Sequence, residues 1–345
     1  KKLNMSLKNL SVVKKIPKLF KNKLDNKIIN QVYKRFEKSF NINQDFIVAV
    51  SGGPDSLALA FLAKIYSIKK NLNPKFFIVD HKLRTNSTNE AKEVKKVLKR
   101  LLINAEILTW KSQKPIKNVQ SLARKKRYEL LFNKCNRLKI FNILLGHHQG
   151  DLFENFFIRI LRGSGLKGLI SLDKKNKIKD ITLHRPLLSE KKNDLEFISK
   201  NVFNFYIKDP YNYDEKFQRI KVRKLIEGLK LNGLDQKKFN NTLKNLRYSD
   251  ETVKFYVNKN LHENSFFHLK KNQLIIDCNF FKQPHEIVFR SFSESLKSIG
   301  MKYYAARGKK IDKLIDDINR DKLSKATLGG CIIEKINQTV IISKE

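Results

Sequence analysis

The chain has 345 residues, room for two or three domains and a sizeable core. Its apolar fraction is 41%, with no apolar run long enough to cross a bilayer, which argues against a membrane-spanning protein. Against 33 acidic residues stand 72 lysines and arginines; the net charge of +39 favours polyanions, makes nucleic acid the natural partner, and exceeds what a small-molecule enzyme needs. Lys, Asn, Ile and Phe are abundant together, as an AT-rich genome would impose, but codon bias alone does not remove acidic residues. Cys135, Cys278 and Cys331 lie far apart with no Cys-x-x-Cys, so zinc and thioredoxin-like sites lack their usual signature, and a reducing cytoplasm is expected.

Residues 1–24 form a basic, weakly amphipathic arm without the apolar stretch or cleavage site of a secretory signal. Residues 24–40 have helical spacing. An apolar run at 46–50 then reads as a buried strand, broken by Ser51, Gly52 and Gly53, with Pro54 where a first helical residue belongs. Strand, glycine turn and helix start would aim backbone N–H groups and the positive helix end at one spot, which suits phosphate. Asp55 adds a carboxylate there, which would repel phosphates unless Mg2+ bridges the two.

Buried strands are predicted at 75–80, 105–110 and 141–146, separated by helices at 89–102 and 120–138. That alternation predicts an α/β fold, a doubly wound, mainly parallel sheet, with ligands at the carboxyl ends of its strands. Those ends carry residues 51–56, 80–84 and 146–151. Residues 163–168 spell G-x-G-x-x-G but follow a helical stretch (152–161), so they are read as a helix cap and mobile loop, not a dinucleotide site. Residues 174–179 are read as a polar excursion, 185–188 as an apolar return, 193–202 as a helix, and Asp209 with Pro210 as a turn. From Phe217 basic residues crowd the chain, and a boundary is expected near Gly233. Beyond it lie a helical stretch (235–262) and short strands at 273–278, 330–334 and 339–343, the last two pairing around Asn337. The expected organisation is an N-terminal arm (1–24), a catalytic domain (25–230) and a small α+β C-terminal domain (231–345).

The string Ser-Gly-Gly-Pro-Asp-Ser at 51–56 is not a Walker A loop, since no Gly-Lys-Ser/Thr follows. It resembles the PP-loop of the ATP pyrophosphatase superfamily. Further blocks at 79–84, 123–128, 146–155 with 159–168, and 185–188, then Asp209-Pro210 with 219–223, narrow the resemblance to the tRNA(Ile)-lysidine synthetase family. The match is weaker beyond about residue 225. The resemblance implies an adenine nucleotide alpha-hydrolase-like fold and an ATP- and Mg2+-dependent ligase. It would adenylate O2 of the wobble cytidine in a CAU-anticodon tRNA(Ile), then join free L-lysine at C2, releasing pyrophosphate and AMP. A cytoplasmic location and a homodimer are also family expectations.

Carried onto this sequence, Ser51, Gly52, Gly53, Pro54, Asp55 and Ser56 would hold the phosphates, with Asp55 on Mg2+. Val79, Asp80, His81 and Arg84 would border the adenosine, with Gly146 nearby. Arg124 and Arg127, three apart on one helix face, would meet phosphate or developing negative charge, and Arg185 the substrate or the leaving AMP. His147, Asp151 and Glu154 would complete the catalytic pocket; one carboxylate would meet the α-amine of lysine, without a decision as to which. Arg162, Lys167, Arg219, Lys221 and Arg223 would contact tRNA. The chain departs from the family pattern at Gly150, where an Asp is usual, at Asn155 for Thr, and at Ile220 for Asn. Two other readings stay open: a PP-loop tRNA thiolase, for which the cysteine spacing is wrong, and a tRNA-binding protein whose site has decayed at Gly150.

Overall fold

A computed structural model describes residues 16–111, 119–207, 218–301 and 306–345. Most of the predicted N-terminal arm and the Asp209-Pro210 turn lie outside the described residues. By backbone contacts the chain divides into two compact units between Leu234 and Asp235.

The first unit opens with α1 (Lys18–Leu24) and α2 (Lys27–Ser39). Asn26 caps α2, its side chain accepting from the backbone N–H groups of Ile28 and Ile29. Then follow β1 (Ile47–Val50), α3 (Pro54–Lys70), β2 (Lys75–Asp80), α4 (Ser87–Arg100), β3 (Ala105–Thr109), α5 (Val119–Leu138), β4 (Asn142–Leu144), α6 (Gln149–Ile160), α7 (Leu166–Leu169), β5 (Lys175–Ile178), β6 (Ile181–His184), α8 (Lys192–Phe203) and α9 (Gln218–Leu231). The strands form one sheet in the order β3-β2-β1-β4-β6-β5, parallel except for β5.

Side chains alternate across β1, so Val48 and Val50 join one core and Ile47 the other. The first core holds α2, α3, α4 and α8; the second takes Leu131 and Cys135 of α5. Both faces are therefore covered, as a doubly wound sheet requires. Helix α3 is apolar around its circumference, with Leu57 through Ala63 fully buried, because α8 closes the side away from the sheet. From β1 the chain runs outward through β2 to β3 and then crosses back to β4 on the other side of β1. The crevice between the carboxyl ends of β1 and β4 is thus the topological switch point.

Two expectations need correction. Residues 174–179 are no excursion: β5 pairs antiparallel with β6 through a turn in which Lys179 takes φ +52°. Its sequence, Lys-Asn-Lys-Ile, is polar because it is the sheet's edge, where charge guards unpaired backbone. At 163–168 the expected cap is present, a left-handed Gly163 (φ +65°) with the Gly163 and Ser164 N–H groups donating to the Ile160 and Arg159 carbonyls, but the single-turn α7 stands in place of the expected loop.

The second unit contains α10 (Gln236–Asn264), β7 (Ser265–His268), β8 (Gln273–Ile276), α11 (His285–Ile299), α12 (Gly308–Asn319), β9 (Lys325–Leu328), β10 (Cys331–Ile336) and β11 (Thr339–Lys344). Its antiparallel sheet has the order β7-β8-β11-β10-β9. Ile276, Cys331, Ile333, Val340 and Ile342 form one face, packed on Phe292 and Leu296 of α11 and Ile311 and Ile315 of α12. The β10–β11 hairpin turns at Asn337 (φ +51°), as expected.

Asp250 of α10 and Arg290 of α11 form an ion pair inside this unit, each under 5% exposed. Burial opposes ionisation of Asp250, but the Lys254 and Arg290 contacts win and hold its pKa below the ordinary value. A depressed carboxylate contributes stability above its unfolded pKa and loses it as pH falls through the folded one. Removing one partner strands a buried charge. Arg290→Leu is therefore expected to lower the stability of the unit holding residues 235–345 by about 3 kcal/mol at neutral pH. The deficit should shrink toward pH ~3 as Asp250 takes a proton. Urea unfolding at both pH values checks this; an equal deficit at both would contradict it.

Candidate active site

Strand β1 ends at Val50, and only Ser51, Gly52 and Gly53 separate it from the first residue of α3, Pro54. Gly52 takes φ +86°, and a Cβ there would meet Val94 Cγ2 at 2.6 Å and Ile207 Cδ1 at 2.7 Å. Conformation and space both require glycine. Ser56 stitches the loop together. Its Oγ accepts from the N–H groups of Ser51 and Gly52, each at 3.1 Å, and donates to the Gly53 carbonyl at 2.9 Å. The outside is anchored by Ser199, whose hydroxyl donates to the Pro54 carbonyl at 2.6 Å, and by Ile207 N–H donating to the Gly52 carbonyl at 2.9 Å. No side chain caps α3, a four-turn helix, so its positive end is left for an anion. Gly146, just past β4, lies so close that a Cβ would come within 3.1 Å of the Ser56 backbone.

Asp55 stands in the first turn of α3 with Oδ1 buried and without a hydrogen-bond partner. Burial pushes its pKa up to about 6, against His148 and helped by Asp151. Across the crevice His148 caps α6: its Nδ1 accepts from the Gly150 N–H at 2.9 Å, and Asp151 Oδ2 accepts from the His148 N–H at 2.8 Å. The His148 Nε2 then lies 3.9 Å from Asp55 Oδ2 and 4.0 Å from Asp151 Oδ2. His147 behaves differently. Burial drives its pKa to about 3 against the pull of Asp151, with Arg185, Arg124 and Arg127 adding to the depression. It is a neutral imidazole, and its buried Nδ1 has no partner.

Three arginines border this pocket. Arg124 and Arg127 lie over the Tyr128 ring, 5.4 and 5.7 Å from its centroid. Arg185 follows β6, and its Nη1 donates to the Asp173 carbonyl (2.7 Å) and to Asn176 Oδ1 (2.6 Å). The unforeseen β5 hairpin is therefore what aims Arg185. Burial lowers the pKa of both Arg127 and Arg185, and each keeps a buried Nε without a partner. On α6, Glu154 accepts from Arg223 Nε at 2.6 Å and leaves Oε2 buried and unpaired.

At the end of β2 the residues divide by role. Asp80 is buried, and both its oxygens serve the following loop, accepting from Lys82 N–H, Ser87 Oγ and Thr88 Oγ1 at 2.7–2.9 Å. Burial opposes its ionisation, but these bonds prevail and lower its pKa. His81 sits edge-on to Trp110 with a buried, unpaired Nδ1; burial and Arg127 lower its pKa to about 4. Arg84 pairs with Glu90 at 2.8 Å, and Val79 packs against the core that holds Phe77.

Of the residues expected on tRNA, Arg162, Arg219 and Lys221 are exposed, Arg162 bonding Gln218 at 3.1 Å, and Lys167 lies on α7. Arg223 departs from that set: its guanidinium turns inward to Glu154. Sequence reasoning left His148 and Asn176 without roles. The first was legible as a His one residue before a helix start; the second had no sequence signal.

Among the described residues nine buried side-chain atoms lack a hydrogen-bond partner, and six belong to this crevice: on Asp55, His81, Arg127, His147, Glu154 and Arg185. Each such atom costs about 1–3 kcal/mol, so their concentration marks a place prepared for a polar ligand.

Comparison with known proteins bears directly on this arrangement. The PP-loop domain family matches residues 23–229. The tRNA(Ile)-lysidine synthase of Wolbachia pipientis wMel is 30% identical over 312 residues, 88% of this chain and 71% of that protein. That of Orientia tsutsugamushi is 30% identical over 318 residues (89% and 71%), and that of Rickettsia akari 30% over 336 (91% and 74%). This chain belongs to the tRNA(Ile)-lysidine synthase family. A solved U34-tRNA thiolase, NcsA from Methanococcus maripaludis with its 4Fe-4S cluster, superposes with a TM-score of 0.54 at 18% identity, covering 63% of this chain and 79% of that one. At that identity the likeness is one of fold, and it agrees with the doubly wound sheet.

As a tRNA(Ile)-lysidine synthase family member the chain is an ATP-using ligase of the PP-loop type. The crevice fits Mg2+: Asp55 offers an unpaired carboxylate oxygen with Asp151 across from it, and Mg2+ needs only one or two protein carboxylates beside phosphate. Stability should record that readiness. A carboxylate whose folded pKa is raised gives stability at low pH and loses it as pH rises through the folded value, here about 6. With chelator and no nucleotide, Asp55→Asn should match the wild type near pH ~4. At pH ~8 it should be more stable by about 2 kcal/mol. Superimposable thermal unfolding at the higher pH would contradict the assignment.

Proposed function

We propose that the chain joins free L-lysine to C2 of the wobble cytidine in a CAU-anticodon tRNA(Ile). The observation that carries this is the set of buried polar atoms without partners, on side chains of both signs, beside a glycine loop at a helix start: Oδ1 of Asp55, Nε of Arg127 and Arg185, and Nδ1 of a neutral His147 near Asp151. The cytidine O2 takes the α-phosphorus of ATP with loss of pyrophosphate; the ε-amine of lysine then bonds C2, the C2–O2 bond breaks, and AMP leaves with that oxygen.

The residues divide the work by charge. The loop at 51–56 and the open end of α3 receive the phosphates. Mg2+ on Asp55, with Asp151 near, would supply charge neutralisation between carboxylate and phosphate. Arg124, Arg127 and Arg185 are set to meet the negative charge that grows on the leaving groups. Asp151 and Glu154 offer the anionic contact that the α-amine of lysine needs and the base that takes the proton of its ε-amine. His147, its pKa driven to about 3 by burial, is too weak a base for that step and lines the pocket as a neutral imidazole. The thiolase alternative is disfavoured because Cys135, the one cysteine of residues 1–234, is buried in the core, its thiol pushed up to about 12. We further assign tRNA contacts to exposed Arg162, Arg219 and Lys221 and to residues 235–345.

The test is pyrophosphate release with ATP, Mg2+, lysine and CAU-anticodon tRNA, each omitted in turn, together with lysine incorporation into the tRNA. Release and incorporation should both require the matching tRNA. Tight tRNA binding without turnover would instead favour a decayed site. Arg127→Met should lower kcat roughly 100-fold with little change in Tm, since it removes a half-buried guanidinium whose Nε has no hydrogen-bond partner. Lys221→Ala should weaken tRNA binding and flatten its dependence on log salt by about 0.7–0.9; an unchanged slope would remove Lys221 from the interface.

A further inference from the structure

Gly150 and His148 form one device. For Nδ1 of His148 to accept from the Gly150 N–H, the ring must fold over the Gly150 Cα. A Cβ on residue 150 would stand 2.7 Å from Cε1 and 3.1 Å from Nδ1 of that ring. Position 150 is not in the left-handed region, so what a side chain there would disturb is the His148 ring, which must move to make room. With Nδ1 accepting, a neutral ring carries its proton on Nε2. That N–H lies between Asp55 of α3 and Asp151 of α6, 3.9 and 4.0 Å from their nearer oxygens. These are not hydrogen bonds at rest; catalytic hydrogen bonds are often this long in an unliganded site and tighten in the complex. Asp151 is also tied back to the His148 N–H, so ring and carboxylate are fixed as a reciprocal pair.

We propose that His148 is a positioning residue which holds Asp55 and Asp151 toward one common spot, and that Gly150 is the residue that lets it take this place. The missing carboxylate at 150 is then no lesion. A side chain there would evict the imidazole, and this chain uses the imidazole. The proposal rests on the assignment of Asp55 and Asp151 to the ATP and lysine sites.

Three variants test it: Gly150→Ala, His148→Asn and the double substitution. Asparagine is a good helix cap but too short to stand between the two carboxylates. A role limited to capping would therefore survive His148→Asn. Three readouts are taken: Tm of the unliganded protein, Kd of a non-cleavable ATP analogue with Mg2+, and kcat/KM for lysine-dependent pyrophosphate release. Gly150→Ala should lower Tm by a few degrees when residue 148 is His, because the ring loses its seat. In the His148→Asn background it should raise Tm slightly, since alanine is the better helix former. His148→Asn should leave Tm within about two degrees. It should raise Kd for the analogue and lower kcat/KM about tenfold each, and the double variant should be no worse. Wild-type Kd in His148→Asn would overturn the positioning role. A Tm change of the same sign in both backgrounds would overturn the coupling to Gly150. A protein that binds the analogue but never makes lysidine would count against the proposed function, while the Tm and Kd comparisons would still decide this inference.

Discussion

The first unit depends on how closely β1 can approach the start of α3. Three residues make the connection, and Gly52 has neither the backbone conformation nor the room for a side chain. The close turn brings the helix end, Asp55 and the loop amides to one edge of the sheet. Gly146 allows β4 to arrive at the same point, within van der Waals reach of Ser56. Since β1 and β4 lie where the strand order reverses, the helices α3 and α6 diverge above them, and the crevice between is a consequence of topology. Asp55 and Asp151 face each other because they occupy the first turns of those two helices.

Such a crevice needs support from elsewhere. Six buried polar atoms without partners are a local debt, offset by the packing beneath them. Helix α3 is packed between the sheet and α8, and its Tyr66 joins Phe36, Phe40 and Phe46 in an aromatic cluster. Glu190 ties the other side: its carboxylate receives Arg35 through Nε and Nη2, and its carbonyl accepts from Gln149 N–H at the start of α6. The rigid parts are apolar or fully paired, and the unpaired groups stand on them. That is how strain at a site is tolerated without loosening it.

Much of this was legible in the sequence. Strands β1 to β4 of the parallel core are largely apolar runs because both their faces are buried, and they were found within a residue or two, whereas the parallel β6 was not read as a strand. The phosphate loop was legible because glycine, proline and strand come in a fixed order. Strand β5 was missed for the opposite reason: an edge strand rich in lysine looks like a loop. Helix α12 was missed although Ile311, Leu314, Ile315 and Ile318 follow the 3.6-residue period, so that signal was present and unread. What no pattern could give was side-chain aim. Arg185 depends on Asn176 of the hairpin, and Arg223, read as a surface cation, turns in to Glu154. Both are tertiary facts without a local code.

The placement of arginine ties composition to chemistry. Lysine carries most of the charge of +39, and exposed lysines suffice to attract phosphates without selecting among them. Yet the buried cations among the described residues are Arg185 and Arg290, and the carboxylates of Glu154, Glu190 and Asp250 are each met by an arginine. A buried ammonium readily surrenders its proton, whereas a guanidinium keeps it. Its fork also bonds two oxygens at once, as Arg35 does. For a pocket proposed to receive phosphate, arginine is the side chain that keeps its positive charge when water is excluded. On that proposal the exposed lysines draw the polyanion to the surface, and the arginines stay charged inside the crevice.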